Sequence, residues 1–157
     1  MNRIFSALLV IALSACATKP SSPDSSSSMA GANRNIAGAA TPRAAVDEFL
    51  AAIRAEDIQT LTIKWGYAKG PARDGDKREQ LEKSALIMQC FLDHETYRIL
   101  NDLPGEPGKR VFRVELVNGS VTRQTNFITV EGPSSRWYVE SADLEPVKDI
   151  CRNPPRE

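Results

Sequence analysis

The sequence predicts an α+β fold: three N-terminal helices packed on one face of a four-stranded antiparallel meander sheet. Three observations predict it. From Thr41 to about Leu92, apolar residues recur at helical spacing. From Tyr97 onward they alternate with a period of two. The alternating runs are joined by tight turns of Gly, Pro, Asn and Ser. Helices first and strands after is the order in which helices gather on one side of an antiparallel sheet.

Before the first helix lies a stretch with a different role. Arg3 supplies a positive start, Ile4 to Leu13 is apolar apart from Ser6, and Leu13-Ser14-Ala15 are small or apolar residues suited to a cut. The run is shorter than the ~20 apolar residues that span a bilayer, and no later stretch reaches that length. Residues 1–15 therefore read as a cleaved signal peptide. Leu13-Ser14-Ala15-Cys16 resembles the lipobox of bacterial lipoproteins. The resemblance covers those four positions and the signal before them. It implies lipidation at Cys16: a diacylglyceryl group on sulfur, then cleavage and acylation (palmitate) of the new amine. The membrane partner would be reached through that lipid. Each buried CH₂ contributes ~0.8 kcal/mol, so one chain holds marginally and two or three hold stably. Ala17, rather than Asp, follows the cysteine, which by the lipoprotein sorting pattern implies the periplasmic face of the outer membrane. The competing reading takes Ala15-Cys16-Ala17 as an ordinary cleavage site and gives a soluble secreted protein.

Residues 16–41 read as the lipidated cysteine and a disordered tether. Thr18 to Ala40 holds Ser, Pro, Gly, Ala and Asn with almost nothing to bury, so ordering it has no compensation. A flexible coil of this length reaches ~25–30 Å. Residues 42–157 read as the globular domain.

Thr41-Pro42 is a helix start, an N-cap hydroxyl followed by proline at the first helical position. Val46, Phe49, Leu50 and Ile53 then form one stripe. Asp57 caps a second, short helix carrying Ile58, Leu61 and Trp65 and ended by Gly66. Residues 66–76 read as loop, with three glycines, a proline and two aspartates. A third helix starts near Asp76 and runs to about Leu92, with Leu81, Ala85, Met88 and Leu92 on one face and Leu86, Ile87 and Phe91 widening it. Tyr97 and Ile99 open the first strand, which the turn at Pro104–Gly108 ends. Phe112, Val114 and Leu116 alternate with Arg113 and Glu115 in the second. Asn118-Gly119 is a hairpin signal suited to a type I′ turn. Val121 to Val130 is a long third strand, with Arg123, Thr125 and Phe127 on one face and Gln124, Asn126 and Ile128 on the other. Gly132-Pro133-Ser134-Ser135 turns into the last strand, where Trp137 and Val139 face inward. The tail after Leu144 reads as surface chain.

PRAAVDEFLAAIRAEDIQTL, a third helix and four strands ending in RWYVESADLE together resemble the NTF2-like, cystatin-like α+β roll. The resemblance covers most of residues 42–146 and reports core packing. It implies a bent sheet and helices around a cone-shaped pocket that is catalytic, ligand-binding or filled.

Basic and acidic side chains number 20 each, and removing residues 1–15 takes away Arg3 alone, leaving 19 and 20. This balance argues against nucleic acid as a partner. After Cys16 is lipidated, two cysteines remain. Export and an even number point to a Cys90–Cys151 disulfide, the alternative being a buried free Cys90 and a loose Cys151. His94, the only histidine, follows Asp93 as a conceivable acid–base pair, but adjacent residues rarely face one another, and a helix C-terminus is an ordinary place for histidine. No catalytic residue is assigned and no cofactor or metal is expected: the serine-hydrolase elbow, phosphate loop, dinucleotide fingerprint and ligand-spaced clusters are all missing from the sequence. Trp65, Tyr67, Tyr97, Arg98, Arg123 and Trp137 are candidate pocket-liners, because arginine among aromatics can hold an anionic or planar ligand. The same residues also suit core aromatics with snorkelling arginines. The reading that follows is a membrane-anchored, non-enzymatic domain that binds an envelope protein or other envelope component. The alternatives are a small-molecule binder using the roll's pocket and an isomerase- or dehydratase-type enzyme built on His94 and Asp93.

Overall fold

The computed structural model describes residues 36–152. The signal peptide, Cys16 and most of the tether lie outside them. The architecture is α+β, with helices followed by a four-stranded antiparallel sheet.

Helix α1 (Pro42–Arg54) begins as its sequence dictates: the Thr41 hydroxyl accepts from the Ala44 N–H at 3.1 Å, and Pro42 sits in the first turn, where no backbone donor is needed. It buries Val46, Phe49, Leu50 and Ile53 on one side. Glu56, at φ 53°, turns the chain, and Asp57 caps α2 (Ile58–Lys64), accepting from the Thr60 N–H at 3.0 Å and the Thr60 hydroxyl at 2.7 Å.

Residues 66–76 are more ordered than a loop. They form a short hairpin of β1 (Gly66–Tyr67) and β2 (Gly70–Pro71), then a single turn α3 (Ala72–Gly75). Composition suggested irregular chain, but packing decides otherwise. Ala72 is fully buried, its N–H donates to the Trp65 carbonyl, and a Cβ on Gly66 would lie 2.6 Å from the Gly70 carbonyl oxygen. Helix α4 (Arg78–Phe91) buries Leu81, Ala85 and Met88. Leu86 and Ile87 do not widen that face: they are 58% and 46% exposed, because at 100° per residue they rotate away from the buried stripe.

The main sheet runs β3 (Thr96–Pro104), β4 (Lys109–Asn118), β5 (Val121–Glu131), β6 (Trp137–Ala142) in spatial order, each antiparallel to the next. Asn118 is the last residue of β4, paired with Val121, so the β4–β5 turn centres on Gly119-Ser120. Only Gly119 has positive φ (56°), the pattern of a II′ turn rather than the I′ turn expected. Asn118 is kept in the strand by its side chain, which donates to Asp93 at 2.9 Å.

Two termini of the domain differ from the sequence reading. Residues 36–40, assigned to the tether, belong to the fold. Ala39 is fully buried and exchanges backbone hydrogen bonds with Trp137 of 2.7 and 2.9 Å. Lys64, its side chain 1% exposed, pairs with Glu48 at 2.6 Å and donates to the carbonyls of Ile36 (2.6 Å) and Gly38 (3.1 Å). Arg136 donates to Ala37 and Gly38. At the other end, the chain after Leu144 is not merely surface. A 3₁₀ turn at Glu145–Val147 and helix α5 (Lys148–Arg152) bury Val147 and Ile150. The sulfurs of Cys90 and Cys151 are bonded at 1.97 Å, tying α5 to the end of α4.

The core lies between α1 and the sheet. Phe49 meets Phe127 edge-on at 6.2 Å, and Leu50, Phe112, Val114, Leu116 and Val139 close around them.

Candidate functional site

Strand periodicity gives the sheet two unlike faces. Register places Tyr97, Leu116 and Arg123 in one row, Ile99, Val114 and Thr125 in the next, and Phe112 beside Phe127 in a third. These rows face α1 and the C-terminal turns: the Tyr97 hydroxyl donates to Asp47 at 2.8 Å, Thr125 to the Asp143 carbonyl and Arg123 to Asp149.

The opposite face carries Arg98, Glu115 and Gln124 in one row, Asn101, Arg113 and Asn126 in the next, and Leu103, Val111 and Ile128 in a third. The Glu115 carboxylate accepts from Arg98 at 3.0 Å and Gln124 at 3.1 Å, one donor to each oxygen. Asn101, Arg113 and Asn126 are exposed, as is Leu103. Rows repeat every ~7 Å along the strands, and neighbouring strands lie ~4.8 Å apart. This open face, roughly 10 Å across β3–β5, is the candidate site. It offers a guanidinium, carboxamides and aliphatic side chains, which suit binding.

Of the six residues singled out as pocket-liners, Trp65 and Tyr67 lie together, but the six do not form one group. Tyr97 and Arg98 are adjacent in a strand and so occupy opposite faces. The Trp65 indole donates to the Glu140 carbonyl at 3.2 Å and lies near Tyr67, their rings 6.4 Å apart. Tyr67 donates to Asp76 at 2.9 Å. Arg123 is bound to Asp149, and Trp137 pairs with Ala39 at the sheet margin. Burial and the neighbouring carboxylates push the Tyr67 and Tyr97 phenols up to about 12, so both stay neutral donors. Three surface grooves border α2, α4 and α5, and none of the three includes any of these six residues.

His94 is 2% exposed. Its Nδ1 lies 2.8 Å from the Leu92 carbonyl, an acceptor only, so that nitrogen carries the proton. The ring packs edge-on against Tyr97 at 5.5 Å, and Nε2 is enclosed without a partner among the described residues. Burial holds its pKa below the usual histidine range, with the Arg54 charge acting in the same direction. Asp93 accepts from Asn118. Among the described residues no three His, Cys, Asp or Glu side chains gather as a metal-binding group.

Arg113 and Lys64 were missed in the sequence. The signal for Arg113 was present, since it alternates with Phe112 and Val114. Lys64 gave none, because a lysine in the last turn of a helix already has a reason to be there. No family model, curated protein or solved structure matches this chain.

Proposed function

We propose that this chain is an exported lipoprotein whose α+β domain binds an envelope protein or other envelope component and catalyses no reaction. The observation that carries the reading is the asymmetry of the sheet. The inner face carries the buried Phe112, Val114, Leu116 and Phe127, while the outer face across β3–β5 presents Asn101, Leu103, Arg113 and Asn126 to solvent. In this proposal residues 1–15 direct export, Cys16 carries the lipid at the periplasmic face of the outer membrane, and the chain up to about Asn35 is the spacer. The domain itself is an NTF2-like, cystatin-like roll, supported by helices that precede a meander and pack on one side of it.

Further support comes from chemistry. A disulfide suits an oxidising compartment. No described helix is long and apolar enough to cross a membrane. A non-catalytic role is favoured because His94 is enclosed and its Nδ1 is already committed to Leu92. Phe49, Phe112 and Phe127 fill the centre of the space that a small-molecule site of this kind would use.

The test is site-specific photocrosslinking in intact cells. A benzophenone amino acid replaces Gln124 on the open face, or Gln80 on the exposed side of α4 as control. The expected result is a discrete adduct from position 124 and none from position 80. Equal capture from both, or none from either, removes the reading. Mass spectrometry of the same material should find lipid on Cys16, and an unmodified amino-terminal peptide retaining residues 1–15 removes the anchor.

A further inference from the structure

We infer that the open face recognises an acidic, extended segment of a protein partner, with a carboxylate on Arg113 between Asn101 and Asn126 and an aliphatic side chain two residues away on Leu103, Val111 and Ile128. This deepens the function proposed above and rests on it.

Charge supplies the first argument. Glu115 is paired with Arg98 and accepts from Gln124, so that row is near neutral. Arg113 has no ion-pair or hydrogen-bond partner among the described residues and is exposed. The middle of the face therefore carries one uncompensated guanidinium. A guanidinium forks onto a carboxylate with two parallel hydrogen bonds. Asn101 and Asn126 stand in register on either side, each one strand away, and their carboxamides add donors to the same anion. Phosphate-rich partners are held by several cations together, and this row has one.

Spacing supplies the second. In an extended chain, side chains i and i+2 point the same way and lie ~7 Å apart. The aliphatic row lies one such step from the Arg113 row, because both are read along the same strands. A segment lying along the strand direction with Asp or Glu at one position and Leu, Ile or Val two positions later fits both rows at once. A second copy of the chain fits worse: a two-fold contact centred on this row sets Arg113 against its own mate, and like charges in direct opposition repel.

The test uses the isotope-labelled full-length protein and two capped pentapeptides, one holding glutamate and leucine two positions apart, the other with glutamine for glutamate. In an NMR titration the acidic peptide should move the Arg113 Nε–H and the Asn101 and Asn126 side-chain amide signals, and bind at least about fivefold tighter than its amide twin. Arg113→Gln should abolish that difference while the spectrum stays dispersed, and Arg113→Glu should transfer the preference to a lysine peptide. Equal binding of both peptides overturns the inference, as do shifts confined to another surface or the same signals moving on dilution without peptide. The two proposals separate cleanly. An adduct from position 124 that persists in Arg113→Glu sinks the acidic-segment inference and leaves the binding domain standing, whereas no adduct at all sinks the domain's role itself.

Discussion

Five consecutive residues of β4 show how differently the two sides of one sheet are used. Phe112, Val114 and Leu116 are wholly buried, whereas Arg113 is exposed and Glu115 is half-covered by polar neighbours. The same backbone hydrogen bonds serve both sets. What differs is the solvent each side chain replaces: hydrocarbon and aromatic rings on one side, water on the other. The inner side holds the fold, since burying a large apolar side chain contributes about 1.5–3 kcal/mol. On the outer side the exposed Asn101, Arg113 and Asn126 bury little and so contribute little to stability.

The comparison can be broken most forcefully at neighbouring positions of β5. Phe127→Ala should cost about 3–5 kcal/mol in chemical denaturation, as a large core side chain leaves a cavity. Asn126→Ala, one residue away on the open side, should stay within about 0.5 kcal/mol. Similar losses at the two sites would mean that the outer face is packed after all. Next comes Lys64→Ala, expected to cost about 3 kcal/mol by leaving Glu48 and the Ile36 and Gly38 carbonyls without their shared donor. Replacing Arg98 by Ala removes a pair of similar geometry on the exposed side, and should cost less than about 1 kcal/mol.

A smaller effect concerns acid. The folded domain lowers the His94 pKa below its ordinary value of 6.5, so the unfolded chain binds the proton more readily. The stability linked to this group is complete above pH 6.5 and is lost as pH falls through the folded value, at up to about 1.4 kcal/mol per pH unit. Thermal melts between pH 7.5 and 5.5 should show this slope, and His94→Gln should flatten it. Smallest of all, Arg113→Gln should leave the melting temperature unchanged within about a degree, sharpening the claim that its side chain serves binding and not folding.

Periodicity made most of the architecture legible. The cap at Thr41, the stripe of α1, the switch to alternation at Tyr97 and the two sides of β5 all follow from local spacing. What local spacing could not show was contact between distant segments. Ile36–Ala40 is Ile, Ala, Gly, Ala and Ala, too short a run to show a period, and it is held by Lys64, Trp137 and Arg136 from far along the chain. Gly66 to Gly75 has loop composition, yet Ala72 finds a dry place beneath it. The candidate pocket-liners were grouped by residue type, whereas alternation sends Tyr97 and Arg98 to opposite faces of the sheet.

The attachment of residues 36–40 beside β6 has a consequence for how the molecule is aimed. β3 forms the far rim of the sheet, four strand spacings or roughly 19 Å from residues 36–40. Under the lipid anchor proposed above, the tethered chain would enter at the β6 side of the sheet. The Arg113 row runs from the middle strands out to the opposite rim, so it would lie on the side away from that entry.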